Sequence, residues 1–256
     1  MYKIKAFALR NGKEIFRDTL SYVFCLGFPL VMLAIMTLVD KSIPKEVGMT
    51  IFRIDNLTGG ILIFGQTFVM LFTAITVAKD RSGAFLVRMY ATPMNAMDFA
   101  AGYMLPMLAI SLVQGLLIGL CAGIISLFTG TALNIVGLLL SFTALIPSAV
   151  LFIAFGLLFG TLFSEKAAPG ICSIVISLGS FLGSIWFDAE ATGGVLLSIS
   201  RCTPFYYCTK SVRAALHLTL SADAFLVPLA VVIASAAVLS AIAVAVFRAK
   251  MKADLA

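Results

Sequence analysis

The chain has 256 residues, of which 61% are hydrophobic and only 12% charged, and its mean hydropathy is +1.10. Soluble domains carry about a quarter charged residues, so this composition excludes a water-soluble globule and makes the bilayer the solvent. The net charge of +6 reports membrane topology, and nucleic-acid binding is excluded as a function class.

Residues 1–20 form an amphipathic helix candidate. At 100° per residue, Ile4, Phe7, Ala8 and Ile15 share one arc, and Lys3, Arg10, Lys13 and Arg17 share another. Such a helix suits the inner membrane interface, apolar face in lipid and basic face toward anionic headgroups. The apolar run that follows is too long for a signal peptide, and no small-x-small cleavage site precedes Asp40 and Lys41. It is therefore expected to stay as the first span.

A hydrocarbon core of roughly 30 Å requires about 20 apolar residues in a helix. Six segments meet that length, at residues 21–39, 59–78, 99–127, 135–163, 168–187 and 224–247. The third and fourth are long enough to tilt, with Pro106 and Pro147 as sites of a kink or break. The alternating ten-residue pattern of barrel strands is absent, which leaves helices as the spanning element. The expected fold is an all-α integral membrane protein: six transmembrane helices and an N-terminal interface helix, in a single domain over residues 1–256.

With the N-terminus inside, twelve of the 18 Lys and Arg residues fall on the inner side, and the 12 acidic residues divide equally. The excess of positive charge thus lies inside, as the Lys/Arg bias of membrane proteins requires, and both termini are expected in the cytoplasm. None of the six segments holds Asp, Glu, Lys, Arg or His. Ionisable residues kept at mid-membrane usually couple ions or protons, so their absence points to an energy source outside the spans.

Between the second and third spans, residues 79–98 form the longest inner loop. Phe85 and Met89, and likewise Leu86 and Tyr90, recur at helical spacing; Gly83 precedes them and Thr92-Pro93 stops the helix. That apolar face could dock a partner protein or pack under the bundle, and spacing alone leaves the two open. On the outer side, residues 188–223 form the largest loop. There Thr203 reads as a helix N-cap with Pro204 at the first helical position, ahead of Phe205, Tyr206 and Tyr207. A gate and an anchor are equally compatible with that helix.

Other features carry little chemistry. Gln66 and Gln114 suit interhelical hydrogen bonds, and Gly156-x3-Gly160 suits close helix packing. Cys25, Cys121 and Cys172 lie in apolar runs, while Cys202 and Cys208 flank the Thr-Pro turn at a spacing that is poor for a disulfide. His217 is the single histidine, so no metal-ligand cluster exists. No G-x-x-x-x-G-K-[ST] loop is present, and no catalytic or cofactor-binding residue can be assigned.

Three stretches together resemble the permease subunits of type 2 ATP-binding-cassette exporters, the ABC-2 family. They are the opening RNGKEIFRDTLSYVFCLGFPL at residues 10–30, the loop with Gly83, Arg88 and Thr92-Pro93, and Thr203-Pro204-Phe205 followed by Arg213-Ala214-Ala215-Leu216. The resemblance covers the whole chain. It implies that two permease copies or homologues pair, as a homo- or heterodimer, each resting on a cytoplasmic ATPase that binds ATP and Mg. It also implies that the loop of Gly83, Phe85, Arg88, Met89, Thr92 and Pro93 is the coupling helix seated in that ATPase. The implied function is export of a hydrophobic or amphipathic substrate (a drug, an antibiotic, a peptide or a lipid-linked molecule) across a cell membrane, in a bacterium. One departure stands: the family often has an acidic residue shortly before the loop glycine, then Gly-Thr. Here the run is Lys79-Asp80-Arg81-Ser82-Gly83-Ala84. The competing classes are a passive channel or ion-coupled carrier, and a membrane-assembly or immunity factor that transports nothing.

Overall fold

Long apolar runs without backbone partners from other segments satisfy their N–H and C=O groups within helices, and helices are what form. The computed structural model describes residues 2–19, 23–44, 48–83, 85–90 and 92–253, with the side chains of Tyr2 and Val87 excepted. Of the stretches described above, Leu20, Ser21 and Tyr22 around the start of the first predicted span, and Ala84 and Ala91 in the loop, lie outside these. The described residues contain eleven helices and no strand: α1 Tyr2–Arg17, α2 Val23–Ser42, α3 Ile54–Ser82, α4 Phe85–Tyr90, α5 Ala96–Thr129, α6 Ile135–Leu162, α7 Ala168–Leu182, α8 Ala189–Thr192, α9 Gly194–Arg201, α10 Pro204–Leu216 and α11 Ala222–Ala253. Both α2 and α11 begin with a wider π turn, at Val23–Gly27 and Ala222–Leu226.

Five of these helices, α2, α3, α5, α6 and α11, are long and apolar enough to cross a membrane. The fifth predicted span is where expectation and structure part. Residues 168–187 were expected to span, yet α7 has 15 residues, about 22 Å of helix, short of the roughly 30 Å core. The cause is a left-handed turn: Ser184 adopts φ 55°, and the Ile185 N–H reaches back to Ser180 O at 3.2 Å, a helix-terminating pattern usually marked by glycine. Pro106 and Pro147 break nothing; α5 and α6 run through them.

The core is centred on α3, which packs against α2, α5, α6, α7 and α10. Its crossing with α6 is the tightest. A Cβ on Gly156 would collide with the Met70 carbonyl, and one on Gly160 with that of Ala74. Small residues permit this backbone approach where lipid supplies no hydrophobic drive between helices. Ser111 donates to Gln66 Oε1 at 2.6 Å, tying α5 to α3, and Gln114 donates to Gly65 O at 3.2 Å and to Cys25 O of α2. By contrast, α2 and α11 keep exposed faces of Val31, Ile35 and Leu38, and of Ile233, Val238 and Ile242, as expected of helices facing lipid.

Candidate functional site

Ion pairs and hydrogen bonds concentrate at the two ends of the bundle. At the end that carries α4, the α3 helix closes with Gly83 N–H bonded to Lys79 O at 2.9 Å. The six-residue α4 follows. Thr92 ends the segment, its N–H and hydroxyl both donating to Met89 O at 2.9 and 2.6 Å. Asn95 and Asp98 then form a reciprocal capping box that starts α5.

The side chains of α4 divide sharply. Leu86 is fully buried, and Phe85, Met89 and Tyr90 are half-buried under the bundle. Phe85 stacks on Phe7 of α1, with centroids 6.4 Å apart and planes 7° from parallel. Tyr90 meets Phe99 and Phe247 edge-on at 5.6 and 6.4 Å. Of the two readings of this apolar face, packing under the bundle is the one observed. Among the described side chains of α4, the one left outward is Arg88, with Gly83 and Pro93 at its flanks, all exposed.

Beneath α4 lies an ion cluster. Asp80, on the last turn of α3 and only 4% exposed, accepts both arms of the Arg10 guanidinium at 2.6 and 3.0 Å and the Tyr103 hydroxyl at 2.8 Å. Glu14 pairs with Arg10 at 2.7 Å, and Lys79 with Glu14 at 3.5 Å. Burial works against the Arg10 charge, but the hydrogen bond and charge of Asp80, with Glu14 behind them, hold its pKa above the ordinary value. The same guanidinium lies 4.0 Å from the Phe85 ring centroid, a cation–π geometry. Arg10 therefore joins α1, α3 and α4 through one planar group.

Helix α1 is positioned to do this by Phe7, whose ring lies over Gly102 where any Cβ would collide, and meets Phe99 and Tyr103 edge-on at 5.4 and 5.0 Å. Asn11 adds a bond to Gly102 O at 3.1 Å. The buried face is thus Phe7, Asn11 and Ile15, while Ile4 and Ala8 are half-buried. Arg10 departs from the outward basic arc on which spacing put it. Lys13 and Arg17 are exposed, and Lys3 donates to Pro93 O at 2.9 Å. Asp80, the nearest acid to the loop glycine, faces inward to Arg10 and Tyr103 rather than toward a partner.

At the opposite end, Thr203 occupies the N-cap position of α10 and Pro204 its first turn, but the Thr203 hydroxyl donates to Ser200 O at 2.8 Å instead of accepting from the helix. Phe205 stacks on Phe152 at 5.6 Å. The helix is packed among α3, α6 and α11, with nine buried residues, so it belongs to the bundle and not to its surface. Arg213 lies against Gly59 and Gly60 of α3 and donates Nε–H to Asn56 O at 3.0 Å. Its Nη2 is buried with no hydrogen-bond partner. Burial pushes its pKa down to about 10, against the attraction of Asp188 and Glu190. Beside it, Glu190 accepts from Lys210 at 2.6 Å and from Tyr206, and His217 bonds Asn56 Oδ1 at 2.9 Å. These groups line a polar cavity of about 290 Å³. All five cysteines are free, and the described residues hold no cluster of metal-ligating side chains.

Sequence reasoning missed Phe7, Tyr103 and Phe247 as partners of the loop. Nothing near the loop in the chain signals them, since each reaches it only through the fold. The family model described as ABC-2 type transporter matches residues 2–217, from the first turn of α1 to the residue after α10, the α4 segment included. No curated protein matches the chain.

Proposed function

We propose, from the premise that the chain belongs to the ABC-2 type transporter family, that it is the membrane-spanning half of an ATP-driven exporter. The motor on this reading is a separate cytoplasmic ATPase that binds ATP and Mg, and two permease copies or homologues form the pathway. The chain lies in a bacterial cell membrane with both termini in the cytoplasm. Its substrate is a hydrophobic or amphipathic molecule, in keeping with a bundle whose apolar mid-sections carry no fixed charge.

The observation that carries this reading is the division of α4. Its apolar face is consumed by packing on Phe7, Phe99 and Phe247, and among the described residues Arg88, Gly83 and Pro93 stay exposed and open to a partner. A push on α4 from an ATPase would pass to Arg10 through Phe85, and from Arg10 to Asp80 on α3, the most buried helix. Helices move as rigid bodies between packed arrangements, so displacing α3 would move the groups packed on it.

The test is purification of the chain in detergent from its own host, identification of the ATPase retained, and a screen for ligands that stimulate hydrolysis. A retained cassette ATPase whose activity responds to apolar ligands is the expected result. Transport in proteoliposomes containing this chain and no ATPase would overturn the proposal in favour of a carrier or channel.

A further inference from the structure

An apolar cleft of about 900 Å³, larger than the polar cavity at the α10 end, lies where α1 crosses α5. Ala8 and Phe16 line one wall, Leu105, Ala109 and Val113 the other, and Phe72 closes the back. Phe16, Leu105 and Val113 are 64%, 51% and 50% exposed. In water such a surface would be a liability. In a membrane it is a slot for hydrocarbon.

Two cations stand on this otherwise apolar lining, Lys5 and Lys13. Both are exposed, and neither has a hydrogen-bond or ion-pair partner among the described residues. Their neighbours on the same helix are engaged: Lys3 with Pro93 O, Arg10 with Asp80, Glu14 with Arg10. Eight positions apart, the two ammonium groups bracket about 12 Å of helix along the mouth of the cleft.

We propose that this cleft is a binding site for one anionic phospholipid, its acyl chain between α1 and α5 and its phosphate held by Lys5 and Lys13. A zwitterionic lipid would fill the slot but gain little from unpaired lysines. A second copy of the chain across a two-fold axis would present the same patch to itself, placing like charges together. An uncharged substrate would leave both cations unused. Basic residues close to the headgroups strengthen attachment to anionic lipid by roughly fivefold each. The inference does not depend on the transport reading, since lipid retention is measured without ATP or substrate.

The experiment reconstitutes the full chain in nanodiscs of phosphatidylcholine containing a minority of phosphatidylglycerol, and measures retained lipid by native mass spectrometry after transfer to detergent. Wild type is expected to retain phosphatidylglycerol over phosphatidylcholine. Lys5→Gln with Lys13→Gln should lower that preference by roughly 25-fold, with the thermal midpoint unchanged. Ala109→Phe, which fills the slot, should lose both lipids while the charge variants lose only the selectivity. Equal retention of the two lipids by wild type would overturn the site, as would a preference indifferent to the lysines. Efficient disulfide-linked dimers from Leu105→Cys in nanodiscs would equally overturn it, by showing that a second copy covers the cleft.

Discussion

The two polar ends of this bundle hold their arginines in opposite ways. Arg10 is matched at every turn, with Asp80, Glu14, Asn11 and the Phe85 ring around it. Arg213 is partly buried, with one bond to a backbone carbonyl and a buried, unpartnered Nη2. A cation matched to a buried carboxylate resists separation from it, whereas a cation with an unmatched N–H gains from any rearrangement that supplies an acceptor. The α4 end is thereby suited to transmit displacement and the α10 end to undergo it.

The sharpest way to break this comparison is to empty its tight side. Asp80→Ala should cost about 2 kcal/mol, seen as a lower thermal midpoint in detergent, because it leaves the buried Tyr103 hydroxyl without an acceptor and takes the bidentate partner from Arg10, which keeps Glu14 and Asn11. Arg10→Met combined with Asp80→Asn should recover most of that loss, since the tyrosine keeps an acceptor and no charge is left uncompensated. A double variant as unstable as Asp80→Ala would mean that the pair does not act as a unit.

On the loose side the effects should be smaller and coupled. A Cβ on Gly59 would lie 2.7 Å from Arg213 Cγ, so Gly59→Ala should cost about 1 kcal/mol. In an Arg213→Ala background that cost should vanish. Arg213→Met alone should shift stability by less than about 1 kcal/mol, because it removes a cation that lacked a full set of partners.

The smallest expected effect is a pH response. Lys210 first, and Tyr206 second, hold the Glu190 carboxyl below its ordinary pKa. A carboxyl lowered on folding contributes stability above its unfolded value, about 4.3, and that contribution is lost as pH falls through the depressed value. Hydrogen exchange of α8–α10 amides, corrected for the intrinsic rate, should therefore rise below about pH 4 in the wild type and not in Glu190→Gln. An equal rise in both would remove Glu190 as the cause.

Much of this asymmetry was illegible in the chain, for physical reasons. Five apolar runs could be read as spans because length and hydropathy are local, and Pro204 at the start of α10 is a local signal too. The 15-residue α7 was not legible, since its end is set by a left-handed Ser184 where glycine is the usual marker. In the loop, spacing showed the helix of Phe85 and Met89 but not which face the bundle would claim. That depended on Phe7, Phe99 and Phe247 arriving from three other helices. Arg10 and Asp80 are 70 positions apart; the sequence put one on a basic arc facing headgroups and the other in the run before the loop glycine, and only the fold joined them.

The central claim is that the surface left exposed on α4 is the seat of an ATPase, and cross-linking tests it most directly. Arg88→Cys on a chain purified with its partners, treated with a short thiol-reactive cross-linker, should form one dominant adduct with a cassette ATPase, while Leu220→Cys at the opposite end should form none. Adducts at Leu220→Cys and not at Arg88→Cys, or no ATPase in either adduct, would contradict it.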